Sequence, residues 1–259
     1  MPPSTEHSRS ASVPSLGRPR VQLRRTDSTN ERARALALAG APHGTLVCAA
    51  EQTAGRGRQG RDWVAPPGSA LLCSLVLRDP PAQLPLIAAV AVCDAVGAYA
   101  RVKWPNDVVV ERAGDRSPLP GGASELAKLA GILVEGRPQE RWAVLGIGVN
   151  VAVRIDELPL ELRARAASLE LAPSAIETTL ERVIGALQAR LAEPVATVLD
   201  AWRARDALAG REVSWARGHG VAEGVDDGGR LLVRLSDGEI AALDAGEVHL
   251  SPVGVHPAD

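Results

Sequence analysis

Residues 55–61 read Gly-Arg-Gly-Arg-Gln-Gly-Arg, permissive backbone alternating with cationic side chains. Glycines let successive N–H groups turn inward as an anion nest, and guanidinium groups add charge-assisted hydrogen bonds, so the pattern suits a phosphate. Arg-Gly stretches also serve as disordered RNA-binding tails. This one lies inside a domain, between two runs of strand type at 45–50 and 70–77, which favours a nucleotide or acyl-phosphate site. No Gly-Lys-Ser/Thr follows, so it is not a Walker A loop. Gly146-x-Gly148 likewise lacks the third glycine and the following helix of a dinucleotide fingerprint.

Of 29 basic residues only Lys103 and Lys128 are lysine. Coding bias toward arginine accounts for the imbalance. Even so, the two surviving lysines mark positions where a compact ammonium is needed, since arginine does not replace it as a point charge. Lys128 opens the apolar run Leu129-Ala130-Gly131-Ile132-Leu133-Val134-Glu135, where it is either a snorkelling surface lysine or a cation facing a phosphate or carboxylate. Lys103 opens Trp104-Pro105-Asn106-Asp107, which reads equally as a turn between strands and as a pocket wall with Asp107 accepting hydrogen bonds or holding a cation. Gly146-Ile147-Gly148-Val149-Asn150-Val151 is a strand with two bare backbone positions, the mark of a closely approaching ligand or of a β-bulge.

The elements that must carry these groups are legible around them. Residues 1–20, rich in Ser, Pro and Arg, read as a disordered tail. A short strand at 21–25 precedes a helix that starts at Ser28, where Ser28-x-x-Glu31 is a capping-box pattern, and runs to Ala39 before Gly40. A long Gly/Arg/Pro loop at 51–69 follows the strand at 45–50. Next come a buried strand at 70–77 and a core helix at 83–98. Strand segments at 101–103 and 108–110 flank the Trp-Pro turn, with a variable hairpin loop at 111–126. Two adjacent apolar strands follow at 128–135 and 142–151, then a mostly helical stretch at 156–207. Beyond Gly210 short strand-like runs at 211–215, 220–226, 230–235 and 239–243 alternate with turns such as Asp227-Gly228-Gly229, a small all-β module. The expected class is α+β, with a catalytic domain at 21–207 and a β domain at 208–255.

Bulk composition narrows the function classes. A net charge of −2 gives no electrostatic reason for nucleic acid or a charged membrane as main partner. Three scattered cysteines without a C-x-x-C pair argue against a disulfide framework and a zinc site. The N-terminal twenty residues lack the apolar stretch of a signal peptide, and the expectation is a cytoplasmic protein.

Taken together, five segments resemble the biotin–protein ligase family and occur in its order. They are Ser28-Thr29-Asn30; Glu51-Gln52-Thr53-Ala54 running into the Gly55–Arg61 loop and on to Trp63; Lys103-Trp104-Pro105-Asn106-Asp107; the 128–135 run; and the 146–151 run. The resemblance covers about residues 21 to 250. It implies a mixed-sheet, class II synthetase-like catalytic domain and an SH3-like C-terminal barrel. The implied reaction joins biotin and ATP as biotinyl-5′-adenylate, with Mg2+ on the triphosphate, and then acylates a lysine of a biotin carboxyl carrier domain. Ser28, Thr29, Asn30 and Gln52 are implied at biotin, with Arg56, Gly57, Arg58 and Lys128. Arg56, Arg58, Arg61, Trp63, Lys103, Asn106, Asp107, Lys128 and Asn150 are implied at ATP. Lys128 and Arg58 are the implied catalytic pair, Arg58 in a mobile lid against which Trp63 packs.

The chain departs from the pattern in two ways. Gln59 stands where a basic residue is frequent, and only about twenty polar residues precede the motifs, where bifunctional members carry a helix-turn-helix. The resemblance therefore implies no DNA partner, no membrane, and a monomer or weak homodimer. A lipoate–protein ligase is the nearest rival reading and an RNA-binding module the more distant one.

Overall fold

The computed structural model describes residues 15–111, 126–244 and 248–250. Two sheets organise the chain. The first has seven strands: β1 (Arg20–Leu23), β2 (Leu46–Ala49), β3 (Ala70–Arg78), β4 (Arg101–Lys103), β5 (Asp107–Glu111), β6 (Leu126–Arg137) and β7 (Trp142–Asn150). Their spatial order is β1-β2-β3-β7-β6-β5-β4. Only the β1–β2 pair is parallel, so the sheet is mixed.

The central strands alternate strictly. Leu71, Cys73, Leu75 and Leu77 of β3 and Ala143, Leu145, Ile147 and Val149 of β7 face one way, into the main core. That core is closed by α2 (Leu84–Val96), apolar on nearly every side and buried at every position but Pro85 and Asp94, together with α4 (Ala175–Leu191) and α5 (Val195–Arg203). An apolar run of this kind is the signature of a helix packed all round. Ser74 and Val76 of β3 and Val144, Gly146 and Gly148 of β7 face the other way. There they meet α1 (Thr29–Leu38) and the loop after β2.

The second sheet, order β11-β10-β9-β8-β12, is wholly antiparallel. It comprises β8 (Glu212–Trp215), β9 (Gly218–Val225), β10 (Leu231–Arg234), β11 (Ile240–Leu243) and β12 (His249–Leu250). Val213, Ala222, Val225, Leu231 and Val233 join the main core, so the small sheet is packed onto the large one's helical layer.

Several expectations change. Residues 15–20 are not tail: Leu16 is buried in the main core, and Gly17 donates its N–H to the Gly44 carbonyl. Residues 1–14 and the expected hairpin loop between β5 and β6 lie outside the described residues. The stretch 156–207 is less helical than its Ala/Leu/Arg/Glu composition suggests. After α3 (Leu160–Arg163) and a turn at 164–165 the chain runs non-helical through 166–171, because its backbone bonds are taken by Lys128, Asn150 and Val151. Ser28 does sit at the N-cap of α1, but no side-chain cap bond forms, and Glu31 turns away to Arg56 and Arg34.

Candidate active site

Everything polar in the sheet's second face converges between α1 and the middle of β6 and β7. At the α1 end, Ser74 is the single hydroxyl in the apolar strand β3 and is fully buried. Its Oγ donates to Asn30 Oδ1 (2.6 Å) and lies 2.8 Å from Thr29 Oγ1. Gln52 Oε1 accepts from the Thr29 N–H at 2.7 Å and lies 2.9 Å from its hydroxyl. Asn30 Nδ2 donates to Glu135 Oε2 at 2.7 Å. Both ends of the Asn30 amide are thus spent on protein groups, which makes it a scaffold for its neighbours.

The glycines of β7 are explained by close approach. Pairing with β3 and β6 runs unbroken through 146–148, so there is no bulge in this strand. A Cβ on Gly146 would overlap Asn30 Oδ1, and one on Gly148 would stand 2.6 Å from the Trp63 ring. The bulge lies instead in β6, where Val108 pairs with Ala130 but Val109 pairs with Lys128. The extra residue, Leu129, is buried in the core. It lets Lys128 and Gly131, three apart, share one face, and a Cβ on Gly131 would meet Lys128 Cε at 3.1 Å. Lys128 therefore crosses a bare floor. Its Nζ reaches Asp107 Oδ1 (2.6 Å) and stands 5.5 Å from the Trp63 ring centroid. The side chain is 39% exposed, open enough to meet a ligand.

The Gly/Arg loop is a small hairpin rather than a loose nest. Arg56 bridges Asp62, the Trp63 N–H donates to the Gly55 carbonyl at 2.9 Å, and the Gly57 N–H is spent on the Arg61 carbonyl at 2.6 Å. A 3-10 turn at Arg58–Gly60 forms its tip, where Gln59 and Gly60 take positive φ of 56° and 73°. The arginines part company. Arg56 reaches back to Glu31 (3.0 Å) and Glu135 (3.1 Å), tying the hairpin's base to α1 and β6. Arg58 Nη1 lies 3.4 Å from Asn106 Oδ1, next along the chain to the Asp107 that pairs with Lys128, and Arg61 Nε lies 3.4 Å from the Arg58 carbonyl. Trp63 packs against the buried cluster of Ala70, Leu72, Val153 and Leu158, with Nε1 buried and unpartnered among the described residues.

Asn106 also grips β6, donating from Nδ2 to the Ile132 carbonyl (2.8 Å) while its own carbonyl accepts from the Ile132 N–H (2.9 Å). Asn150 uses its Nδ2 on the Ala167 carbonyl (2.8 Å). It thereby fixes the segment 165–167 that brackets Lys128 through the Lys128 N–H to Arg165 and the Ala167 N–H to Lys128. Lys103 stands opposite Asp107 in the β4–β5 pair. Of the residues expected at the site, Ser28, Thr29, Asn30 and Gln52 gather at the α1 end. Arg58, Trp63, Asn106, Asp107 and Lys128 gather over the β6 bulge.

Sequence reading missed Ser74, Glu135 and the 165–167 segment. Ser74 was detectable as the only hydroxyl in an apolar run. Glu135 was detectable as the third member of the 131, 133, 135 alternation.

A family model described as the biotin/lipoate A/B protein ligase family matches residues 22–151, and one described as the biotin protein ligase C terminal domain matches residues 210–251. The chain belongs to the biotin/lipoate A/B protein ligase family. Within it, the biotin--[acetyl-CoA-carboxylase] ligase of Paracoccus denitrificans is 38% identical over 239 residues, covering 82% of this chain and 92% of that protein. The ligase of the same name from Mycobacterium tuberculosis is 34% identical, covering 86% and 85%. Among solved structures, the biotin protein ligase of Aquifex aeolicus in complex with biotin and ATP superposes with a TM-score of 0.72. It is 26% identical and covers 90% of this chain and 98% of that one. The small second sheet accordingly has the SH3-like character expected of the C-terminal domain.

Proposed function

We propose that this chain is a biotin–protein ligase, which converts biotin and ATP to biotinyl-5′-AMP and then acylates a lysine of a carrier domain in a biotin-dependent carboxylase. The observation that carries this reading is the placement of Lys128. Its ammonium crosses a glycine floor between the Thr29–Gln52 cluster and the Arg58–Asn106 contact. The nearest rival, a lipoate ligase, is disfavoured because the curated relatives are named for biotin.

In the first step a biotin carboxylate oxygen attacks the α-phosphorus, the α–β phosphoanhydride bond breaks, and pyrophosphate leaves. Two anions must meet, so donors that strengthen with the developing charge are required. Lys128 supplies one, released from Asp107 to the α-phosphate and carboxylate oxygens, and Arg58 supplies the second from the hairpin tip. Ser28, Thr29 and Gln52 hold the ureido end, with Asn30 holding Thr29 through Ser74. Arg56 and Gly57 anchor the hairpin beside biotin, and Arg61, Trp63, Lys103, Asn106, Asp107 and Asn150 line the nucleotide side. In the second step the carrier amine attacks the acyl carbon and AMP leaves. No enzyme nucleophile is needed, and the closed hairpin keeps water from the mixed anhydride.

Magnesium, when bound, neutralises triphosphate charge. No group of three or more His, Cys, Asp and Glu stands together among the described residues. That suits an ion held mainly by the triphosphate with Asp107 as its protein carboxylate. The reading gives the protein no DNA or membrane partner and a monomeric or weakly dimeric state. The net charge of −2 supports the first point. No helix among the described residues is long and apolar enough to cross a membrane.

Biotin-dependent ATP–pyrophosphate exchange tests the proposal. Wild type exchanges label with biotin and not with lipoate, and Lys128→Ala lowers the rate by about 10²–10³. Full exchange in the variant would remove Lys128 from the chemistry, and exchange with lipoate alone would replace biotin as substrate.

A further inference from the structure

The Asp-Gly-Gly turn between β9 and β10 belongs to the small sheet, far along the chain from the ligase motifs, yet it is built as a fixed part and docked beside one of them. Asp226 braces it: Oδ1 accepts the N–H groups of Gly228 and Arg230 (both 2.9 Å), and Oδ2 accepts from Arg230 Nε (2.7 Å). Gly229 has φ +84°, and a Cβ there would lie 2.8 Å from Leu86 Cδ1 on α2. Arg203, on α5, grips the Val225 carbonyl with Nε and Nη2 (3.1 Å each). So held, the Gly229 carbonyl accepts the indole N–H of Trp104 at 3.1 Å. Trp104 is only 2% exposed, so this carbonyl satisfies a donor that would otherwise be buried and unpaired.

Trp104 stands two residues before Asn106 and three before Asp107. Asn106 is pinned to Ile132 and meets Arg58, while Asp107 holds Lys128. We propose that the β9–β10 turn, through the Gly229 carbonyl and the Trp104 indole, positions Asn106 and Asp107, and through them the Arg58 and Lys128 they hold. Trp104 is a positioning residue in this scheme, and the small sheet is a working part of the nucleotide side of the site. The kinetic consequence rests on the ligase reading, while the mechanical linkage does not.

The test has two arms on the full-length protein. Trp104→Phe keeps the ring and removes the N–H. In ligand-free protein, amide hydrogen exchange at Ile132, whose N–H bonds the Asn106 carbonyl, is expected to quicken about tenfold. The α2 amides at 90–93 should keep their wild-type protection. In pyrophosphate exchange, KM for ATP is expected to rise about tenfold, with KM for biotin unchanged because the Thr29–Gln52 cluster is not in this linkage. Arg203→Ala, which frees the turn from its other side without touching Trp104, should shift both readouts the same way if Trp104→Phe does not fold. Unchanged Ile132 exchange in the folded variant overturns the proposal. So does a uniform acceleration of Ile132 and α2 together, which would make the indole mere packing. A wild type without biotin-dependent exchange would sink the ligase reading and leave the hydrogen-exchange arm intact.

Discussion

The two faces of the seven-stranded sheet are made by the same strands and obey opposite rules. On the helical side, β3 and β7 present Leu71, Cys73, Leu75, Leu145, Ile147 and Val149, large or sulfur-bearing groups that fill space against α2 and α4. At the site on the other side the positions are Ser74, Gly146, Gly148 and Asn150, small or polar groups that leave the surface to α1, Trp63 and Lys128. Val76 and Val144, farther along that face, pack apolar against α1. One face gains from volume and the other from its absence. Burying apolar area stabilises the fold, whereas a glycine floor exposes backbone and contributes little beyond permitting approach.

The contrast can be broken at single positions. Leu145→Ala, on the core face, should cost about 2–5 kcal/mol in chemical denaturation. KM for biotin of the folded fraction should stay the same; a large KM change would mean the faces are not separable.

The sheet's outer edge offers a pH test. Asp206 pairs with Val102 of β4. Burial pushes its carboxyl up from 3.8 to about 6, against the Leu208 N–H that favours the ionised form. Because the folded value lies above the unfolded one, the stability tied to protonation is complete below about pH 4 and lost as pH rises through 6. Asp206→Asn keeps the acceptor for Leu208. It should therefore raise stability by up to about 3 kcal/mol above pH 6 and bring no gain below pH 4, read from thermal melts across that range.

Ser74→Ala, on the site face, should cost only about 1–2 kcal/mol. The same change should raise KM for biotin about tenfold by freeing Thr29 and Asn30; an unchanged KM would reduce Ser74 to packing. Smallest in stability is Arg58→Gly, within about 0.5 kcal/mol of wild type. Its effect should appear as released biotinyl-adenylate and labelling of bystander lysines. Unaltered labelling specificity would assign retention of the intermediate to another part of the hairpin.

Much of this contrast was readable from the chain, and the unreadable parts have physical reasons. Near-continuous apolar runs placed β3 and β7 correctly, because each lies between two other strands and is buried on both faces. The face of Lys128 was not readable, since one inserted residue, Leu129, breaks the period that would have assigned it. The non-helical run at 166–171 was lost for another reason. Its composition favours helix, but the backbone groups of Lys128, Asn150 and Val151 claim its hydrogen bonds, and tertiary pairing overrides propensity. At the site, the members of the Gly55–Arg61 loop were identified but their partners were not. Nothing in Gly-Arg-Gly-Arg says that Arg56 turns toward Glu31 and Glu135 while Arg58 meets Asn106.

The bulge at Leu129 makes the register of β6 a functional variable. Deleting that residue would tidy the strand, restoring unbroken pairing with β5. It would leave Lys128 opposite Val109 and on the face of Gly131, because residues two apart in a regular strand share a face. Straightening the strand with Leu129 retained would instead turn the ammonium away from Asp107 and into the apolar layer beneath. A lineage could shorten the strand here by one and keep Lys128 over Asp107, but it could not pull the bulge straight at full length.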